Sequence, residues 1–122
     1  MDILRVNVSN DGETFFDETD WPLAPGDMAP PSPVGYVATP MVAADGVRIM
    51  HTPAGYIDEW HPVPQRMFVI LLSGRLRLET TDGDHRLIKT GDMFLNEDDR
   101  GRGHRMMEVD GKAYAMALIH LS

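Results

Sequence analysis

The sequence contains no cysteine and no apolar run long enough to cross a membrane. Without cysteine, a disulfide framework, a thiolate metal site and a cysteine nucleophile are all excluded. The longest apolar run, from Met67 to Leu72, is far shorter than the roughly 20 residues that a transmembrane helix needs. The first residues contain no basic segment, long apolar segment or small-residue cleavage site. We therefore expect an uncleaved cytoplasmic protein that does not bind membranes.

Basic side chains are also few. Eleven lysines and arginines stand against nineteen acidic residues, which gives a net charge of −8. This charge repels phosphate backbones, so we expect no nucleic-acid partner. With 122 residues, 43% of them hydrophobic and 25% charged, the chain has the size and composition of one globular domain.

No segment has the 3.6-residue hydrophobic period of an amphipathic helix. Asp-Gly pairs, by contrast, occur at Asp11-Gly12, Asp45-Gly46, Asp82-Gly83 and Asp110-Gly111. Such pairs favour type I′ hairpin turns, in which both central residues have positive φ. The missing helical period and the repeated turn signals together predict an all-β chain.

Four segments have the composition of strands, namely residues 47–51, 68–72, 75–80 and 113–120. In the third segment, leucines alternate with charged residues, as expected of a half-buried strand. In the last segment, Ala113, Ala115 and Ala117 alternate with larger side chains. We expect the face with these small residues to allow close packing of a second sheet.

The region from Trp21 to Pro40 contains six of the nine prolines. Proline cannot donate a hydrogen bond to a sheet ladder, so this region is predicted to be an arm or loop and not a central strand. Trp21, Leu23 and Tyr36 provide apolar surface within it. We expect these side chains to hold the arm against the body of the protein or against a second subunit.

Two glycine-anchored segments are the most informative feature of the chain. The first runs from Gly55 through His61 to Gly74, and the second runs from Gly91 to His104. Each segment places one histidine at the edge of an apolar strand. This arrangement allows two imidazoles from distant parts of the chain to meet inside a barrel.

These segments resemble the two motifs of the cupin superfamily. Gly55, His61 and Gly74 match the first motif, and Gly91-Asp92 with His104 matches the second. The wider pattern is most similar to that of small single-domain bacterial cupins that have no well-defined common activity.

The resemblance implies an all-β cupin fold, which is a jelly-roll barrel or double-stranded β-helix. Residues 47–121 would form the barrel, and residues 1–46 would form N-terminal strands and the proline-rich arm of the same 1–122 domain. Many cupins pair through exchanged or packed N-terminal strands. The resemblance therefore implies a homodimer, in which the arm takes part.

The family's metal site uses two histidines and a glutamate from the first motif and one histidine from the second. If His61 is the first of these histidines, Val63 and Met67 occupy the other two positions of the first motif. In another register His61 is the second histidine and Glu59 takes the first position, on the same strand face. Glu59, His61 and His104 would then supply the facial triad of a divalent metal, such as Fe, Zn, Mn or Ni.

The same three residues can act without a metal. A histidine beside a carboxylate can move protons, so Glu59, His61 and His104 are also our candidate catalytic residues for a metal-free isomerase, dehydratase or cyclase. A third alternative is a non-catalytic cupin that binds or senses a ligand. The partner in every case is a small molecule.

Candidate ligand-binding residues surround this set. Met67 occupies a motif position that faces the cavity, and a thioether wall favours an apolar or aromatic ligand. The other candidates are His51, Tyr36, Arg66 and Glu97. The basic run from Arg100 to Arg105 follows three acidic residues, and we expect it to form internal salt bridges.

Overall fold

The chain folds into two β-sheets that pack face to face. The computed structural model describes residues 1–26 and 35–122. The strands in these ranges are β1 (Asp2–Val8), β2 (Thr14–Asp20), β3 (Ala24–Pro25), β4 (Val37–Ala38), β5 (Ala44–Thr52), β6 (Met67–Ser73), β7 (Arg75–Thr80), β8 (His85–Lys89), β9 (Met93–Asn96), β10 (His104–Glu108) and β11 (Tyr114–Leu121). The described residues contain no helix that is long and apolar enough to span a membrane.

The larger sheet has the strand order β2-β1-β9-β6-β11-β5, and the smaller sheet has the order β10-β7-β8. Strand β1 runs parallel to β9, and the other neighbours within these two sheets run antiparallel. The N-terminal strand β1 therefore lies inside the main sheet, between β2 and β9, and not on a separate arm.

The main core lies between the two sheets. The larger sheet contributes Val6, Val69 and Met116, and the smaller sheet contributes Leu76 and Leu78, all of them buried. Alternation explains these positions, because every second residue of a half-buried strand points to the same side. The predicted strands at residues 47–51, 68–72, 75–80 and 113–120 all lie within or largely overlap β5, β6, β7 and β11.

The alanines of β11 do not face the second sheet, contrary to our expectation. Tyr114, Met116 and Leu118 belong to the core between the sheets. Ala115 and Ala117 alternate with them and therefore lie on the outer face of the larger sheet. Large side chains fill the space between the two sheets, and the small side chains remain on the outside.

Three of the four Asp-Gly pairs lie in connections, after β1, β7 and β10. The glycines in these connections have positive φ, but no other residue type in the described chain does, so the predicted type I′ geometry is wrong. The fourth Asp-Gly pair does not form the predicted turn at all. Asp45-Gly46 lies within β5, where Gly46 pairs with His120 of β11.

The described parts of the proline-rich arm, residues 21–26 and 35–40, lie on the outer face of the larger sheet. Strands β3 and β4 pair to form a small ribbon within the arm. The ring of Trp21 lies 5.0 Å from the ring of Phe68, measured between centroids. Ile3, Leu95 and Leu121 form a second buried cluster against these rings. The prolines at positions 30, 31 and 33 lie outside the described residues.

Candidate functional site

The backbones of His61 and His104 pair directly, although the two residues lie 43 positions apart in the sequence. The His61 N–H donates to the His104 carbonyl at 3.1 Å, and the His104 N–H donates to the His61 carbonyl at 3.0 Å. Gly103 makes this approach possible. It has a φ of 79°, and a Cβ at this position would overlap the carbonyl of His61.

His104 is fixed by a buried carboxylate. Its Nδ1 lies 2.6 Å from Oδ2 of Asp98, and the two side chains are 2% and 0% exposed. A carboxylate accepts hydrogen bonds, so Nδ1 carries the proton in this contact. The other oxygen of Asp98 has no hydrogen-bond partner among the described residues. The ring of His104 lies against that of His61, with 4.7 Å between the centroids.

His61 is held in one tautomer by the backbone. Its Nδ1 lies 2.6 Å from the carbonyl oxygen of Glu59. A carbonyl can only accept, so Nδ1 is the donor and Nε2 is the basic nitrogen of the neutral ring. Within the described residues Nε2 forms no hydrogen bond. The side chain of His61 is about half exposed, at 49%.

Asp58, which no pattern in the sequence singles out, organises the segment that leads to His61. Its carboxylate accepts hydrogen bonds from the backbone N–H groups of Glu59 and Met106, each at 3.0 Å. Its Oδ1 also lies 3.5 Å from Nδ1 of His61. The contact with Met106 joins the segment to β10, and no local pattern in the sequence indicates it.

A cavity of about 320 Å³ opens beside His61. Its wall includes His61, Asp58 and His51, and also Met50, Thr52, Pro53, Tyr56, Met106 and Tyr114. His51 pairs with Ala115 on the outer face of the sheet, so alternation places it at the rim of the cavity. His104 does not line this cavity, although its ring lies against that of His61.

Tyr114 provides a neutral donor in this wall. Burial raises the pKa of its hydroxyl above the ordinary value of 10.0, hydrogen bonding with Thr52 opposes the rise, and the charge of Asp58 adds to it. The phenol therefore remains protonated at neutral pH. A protonated phenol can donate a hydrogen bond to an oxygen of a bound molecule.

The other candidates from the sequence lie elsewhere. Glu59 is exposed, and Met67 is buried in the core between the sheets. Arg66 donates to Glu97 at 3.1 Å in an ion pair outside the cavity. Tyr36 lies in the arm, next to β4. None of these side chains lines the cavity beside His61.

The donor set does not fit a facial triad. Both histidines have Nδ1 bound to an acceptor, which is how metal-bound histidines are usually supported. Within residues 1–26 and 35–122, however, no three histidine or carboxylate side chains lie close enough to hold a metal ion. The structure brings His61 and His104 together and does not group Glu59 with them.

No family model matches the chain, and no curated protein sequence matches it significantly. Solved structures do match. A cupin domain from Bordetella pertussis Tohama I is 21% identical over 68% of this chain and 91% of that chain, with a TM-score of 0.50. The cupin domain of Cnp3 from Schizosaccharomyces pombe is 13% identical over 99% of this chain and 83% of that chain, with a TM-score of 0.54.

The chain therefore has the all-β cupin fold, which confirms the fold predicted from the two glycine-anchored motifs. At these identities the likeness shows the fold alone. Function has to be inferred from the site.

Proposed function

We propose that this chain is a small-molecule-binding cupin that catalyses metal-free proton transfer on a neutral, apolar or aromatic molecule. Isomerisation, dehydration and ring closure are the reactions that such chemistry serves. The observation that supports this best is the state of His61. Its Nδ1–H is donated to the Glu59 carbonyl, which leaves Nε2 as a base in the wall of a cavity.

The cavity favours a small and uncharged ligand. Its volume of about 320 Å³ is at the lower end of the range for ligand pockets. Met50, Met106 and the tyrosine rings supply apolar wall, and thioethers adapt to the shape of a ligand. The carboxylate of Asp58 in the same wall disfavours an anion.

The proposed step uses three side chains. Nε2 of His61 takes a proton from an acidic C–H or O–H group of the ligand, and the same proton returns to another atom of that ligand in an isomerisation. Asp58, at 3.5 Å from Nδ1, stabilises the imidazolium that forms in between. The hydroxyl of Tyr114 donates a hydrogen bond to the ligand oxygen where negative charge develops.

A second candidate is a binding module without catalysis. The half-exposed ring of His61 favours it, because water that reaches the base competes for its proton. In such a protein the cavity holds the ligand and returns it unchanged.

Hydrogen exchange distinguishes the two candidates. Neutral carbonyl compounds with exchangeable α-hydrogens are incubated with the protein in D₂O, and loss of the α-hydrogen signal is followed by proton NMR. We expect exchange with the wild type and a loss of about 100-fold or more in His61→Gln. His85→Gln is the matched control, since His85 is exposed on β8.

If the wild type binds a carbonyl compound but does not exchange its α-hydrogens, the proposed catalysis is wrong and the binding module without catalysis is supported. Equal exchange by His61→Gln and the wild type would contradict the role of His61. Dialysis against a chelator is expected to leave the exchange rate unchanged, and a loss of rate that added metal restores would argue for a metal site.

A further inference from the structure

The outer face of the smaller sheet is positively charged, on a chain whose net charge is −8. In β7 the buried Leu76 and Leu78 alternate with charged residues, which therefore face outward. Directly opposite residues of paired strands share a face, so the pairing of β7 with β8 and β10 gives the rest of this surface. We call the outward side of these three strands the basic face. Its charged side chains are Arg75, Arg77, Glu79, Lys89 and Arg105.

The carboxylates near the basic face do not balance its cations. Arg75 donates two hydrogen bonds to Asp110, at 2.5 and 2.8 Å, so these two charges cancel. Arg77 and Arg105 share the carboxylate of Glu79, at 3.8 and 3.3 Å. One carboxylate therefore serves two guanidinium groups, and one positive charge remains unbalanced.

Two cations of the basic face have donors left for a partner. Lys89 is exposed and forms no ion pair with a described residue. The side chain of Arg77 is 43% exposed, and its guanidinium forms no hydrogen bond with a described residue. With Asp110 included, the face has four cations and two carboxylates, which leaves an excess of two positive charges.

Apolar side chains lie between these charges. Arg77 is opposite Met107 on one side and Leu87 on the other, so the three residues form one row across the sheet. Leu87 is 46% exposed. At the β10 side of the face, the guanidinium of Arg105 lies 4.7 Å from the ring centroid of Trp60. Cations interspersed with apolar surface suit a ligand that carries both carboxylates and apolar side chains.

From this we infer that the basic face binds an acidic segment of another protein, in which Asp or Glu side chains are interspersed with apolar ones. Charge complementarity is the main argument, because carboxylates accept hydrogen bonds from guanidinium and ammonium groups. The rest of the molecule is acidic, so the attraction ends at the border of the face. A short segment can keep its charges within that border. The phosphates of a nucleic acid continue beyond it and meet repulsion.

Fluorescence anisotropy tests the inference with a defined probe. The probe is a labelled peptide of about ten residues with two Glu for each Leu, long enough to cross the three strands when extended. We expect it to bind the 122-residue chain saturably at low salt. Its affinity is expected to fall about tenfold or more at physiological salt, because exposed charges are then screened. The matched peptide with Gln in place of Glu is expected to bind at least about tenfold more weakly.

Charge reversal on the basic face tests where the peptide binds. Lys89→Glu is expected to raise the dissociation constant about tenfold or more, because repulsion replaces attraction. Arg48→Glu is the matched control. It changes the net charge equally, but Arg48 is exposed on β5 of the larger sheet and forms no ion pair with a described residue. It is expected to change the dissociation constant by less than about threefold. Arg77→Gln is a second variant, at the centre of the face, and is expected to weaken binding about fivefold.

The absence of saturable binding by the wild type overturns the inference. Equal effects of Lys89→Glu and Arg48→Glu also overturn it, since the peptide would then respond to net charge alone or bind elsewhere. A single-stranded oligonucleotide of equal charge that displaces the peptide at a lower concentration would make a nucleic acid the occupant. Self-association of the wild type that Lys89→Glu abolishes, measured by analytical ultracentrifugation, would make a second copy the occupant. In either case the inference is wrong.

Discussion

At the scale of single residues, the pair formed by Asp98 and His104 matters most for the site. Both side chains are buried, and the carboxylate has only the imidazole as a side-chain partner among the described residues. A buried polar group that loses its partner costs much more than the bond itself is worth. The pair therefore holds the ring of His104 in place behind His61.

Asp98→Ala is expected to lower the free energy of unfolding by about 3 kcal/mol, because it leaves Nδ1 of His104 buried without an acceptor. Asp98→Asn keeps an accepting oxygen and is expected to cost about 1 kcal/mol. Urea unfolding followed by tryptophan fluorescence measures both. The exposed neighbour Asp99 provides the control, since Asp99→Asn should change stability by less than about 0.5 kcal/mol. Equal urea midpoints for Asp98→Ala, Asp98→Asn and Asp99→Asn would show that the contact between Asp98 and His104 contributes nothing to stability.

The sequence predicted some of these residues and not others. His61 and His104 could be found because glycines and apolar strands mark their positions at fixed spacing. Asp58 and Asp98 could not. Asp58 acts on a backbone N–H 48 residues away, and the three acidic residues 97–99 look alike until the fold buries the middle one. A carboxylate's burial depends on its neighbours in space, which a local pattern does not contain.

At the scale of elements, the strands followed from alternation and the connections did not. The predicted strand at 75–80 coincides with β7, because its leucines and charged residues alternate without a break. Asp45-Gly46 was assigned to a turn from its composition alone. Pairing along the length of β11 keeps it extended, and this contact with a distant strand outweighs the local preference.

One connection governs the site. Gly103 passes close against the backbone of His61, and its positive φ brings His104 into register with it. Gly103→Ala is expected to cost at least about 3 kcal/mol, since both the φ strain and the backbone overlap must be relieved. Gly83→Ala is the control. Gly83 has a φ of 91° and open space around it, so only the strain of about 1–2 kcal/mol applies.

Urea unfolding of the two alanine variants provides the comparison. If Gly103→Ala and Gly83→Ala lower the free energy of unfolding equally, the pairing of His61 with His104 does not depend on the absence of a side chain at Gly103. A larger loss at position 103 would show that the close approach is required.

At the scale of the whole molecule, the two sheets divide the chain into two surfaces with different roles. The inner faces form the core, and the proposed ligand cavity opens at one end between β5, β10 and β11. The outer face of the larger sheet carries the described parts of the arm and the exposed side of β5. The cupin fold could be predicted from the two motifs, but the outward position of the alanine face could not, because the period of two does not say which side is covered.

The most direct test of the central claim is to locate a bound ligand by NMR of methionine methyl groups. Met50 and Met106 line the cavity beside His61, Met41 lines the outer cavity, and Met67 is in the core, so each reports on a different place. Neutral aromatic molecules are expected to shift the Met50 and Met106 signals in a saturable way and to leave Met41 unmoved. Saturable shifts at Met41 with none at Met50 and Met106 would contradict the claim that the cavity beside His61 is the binding site.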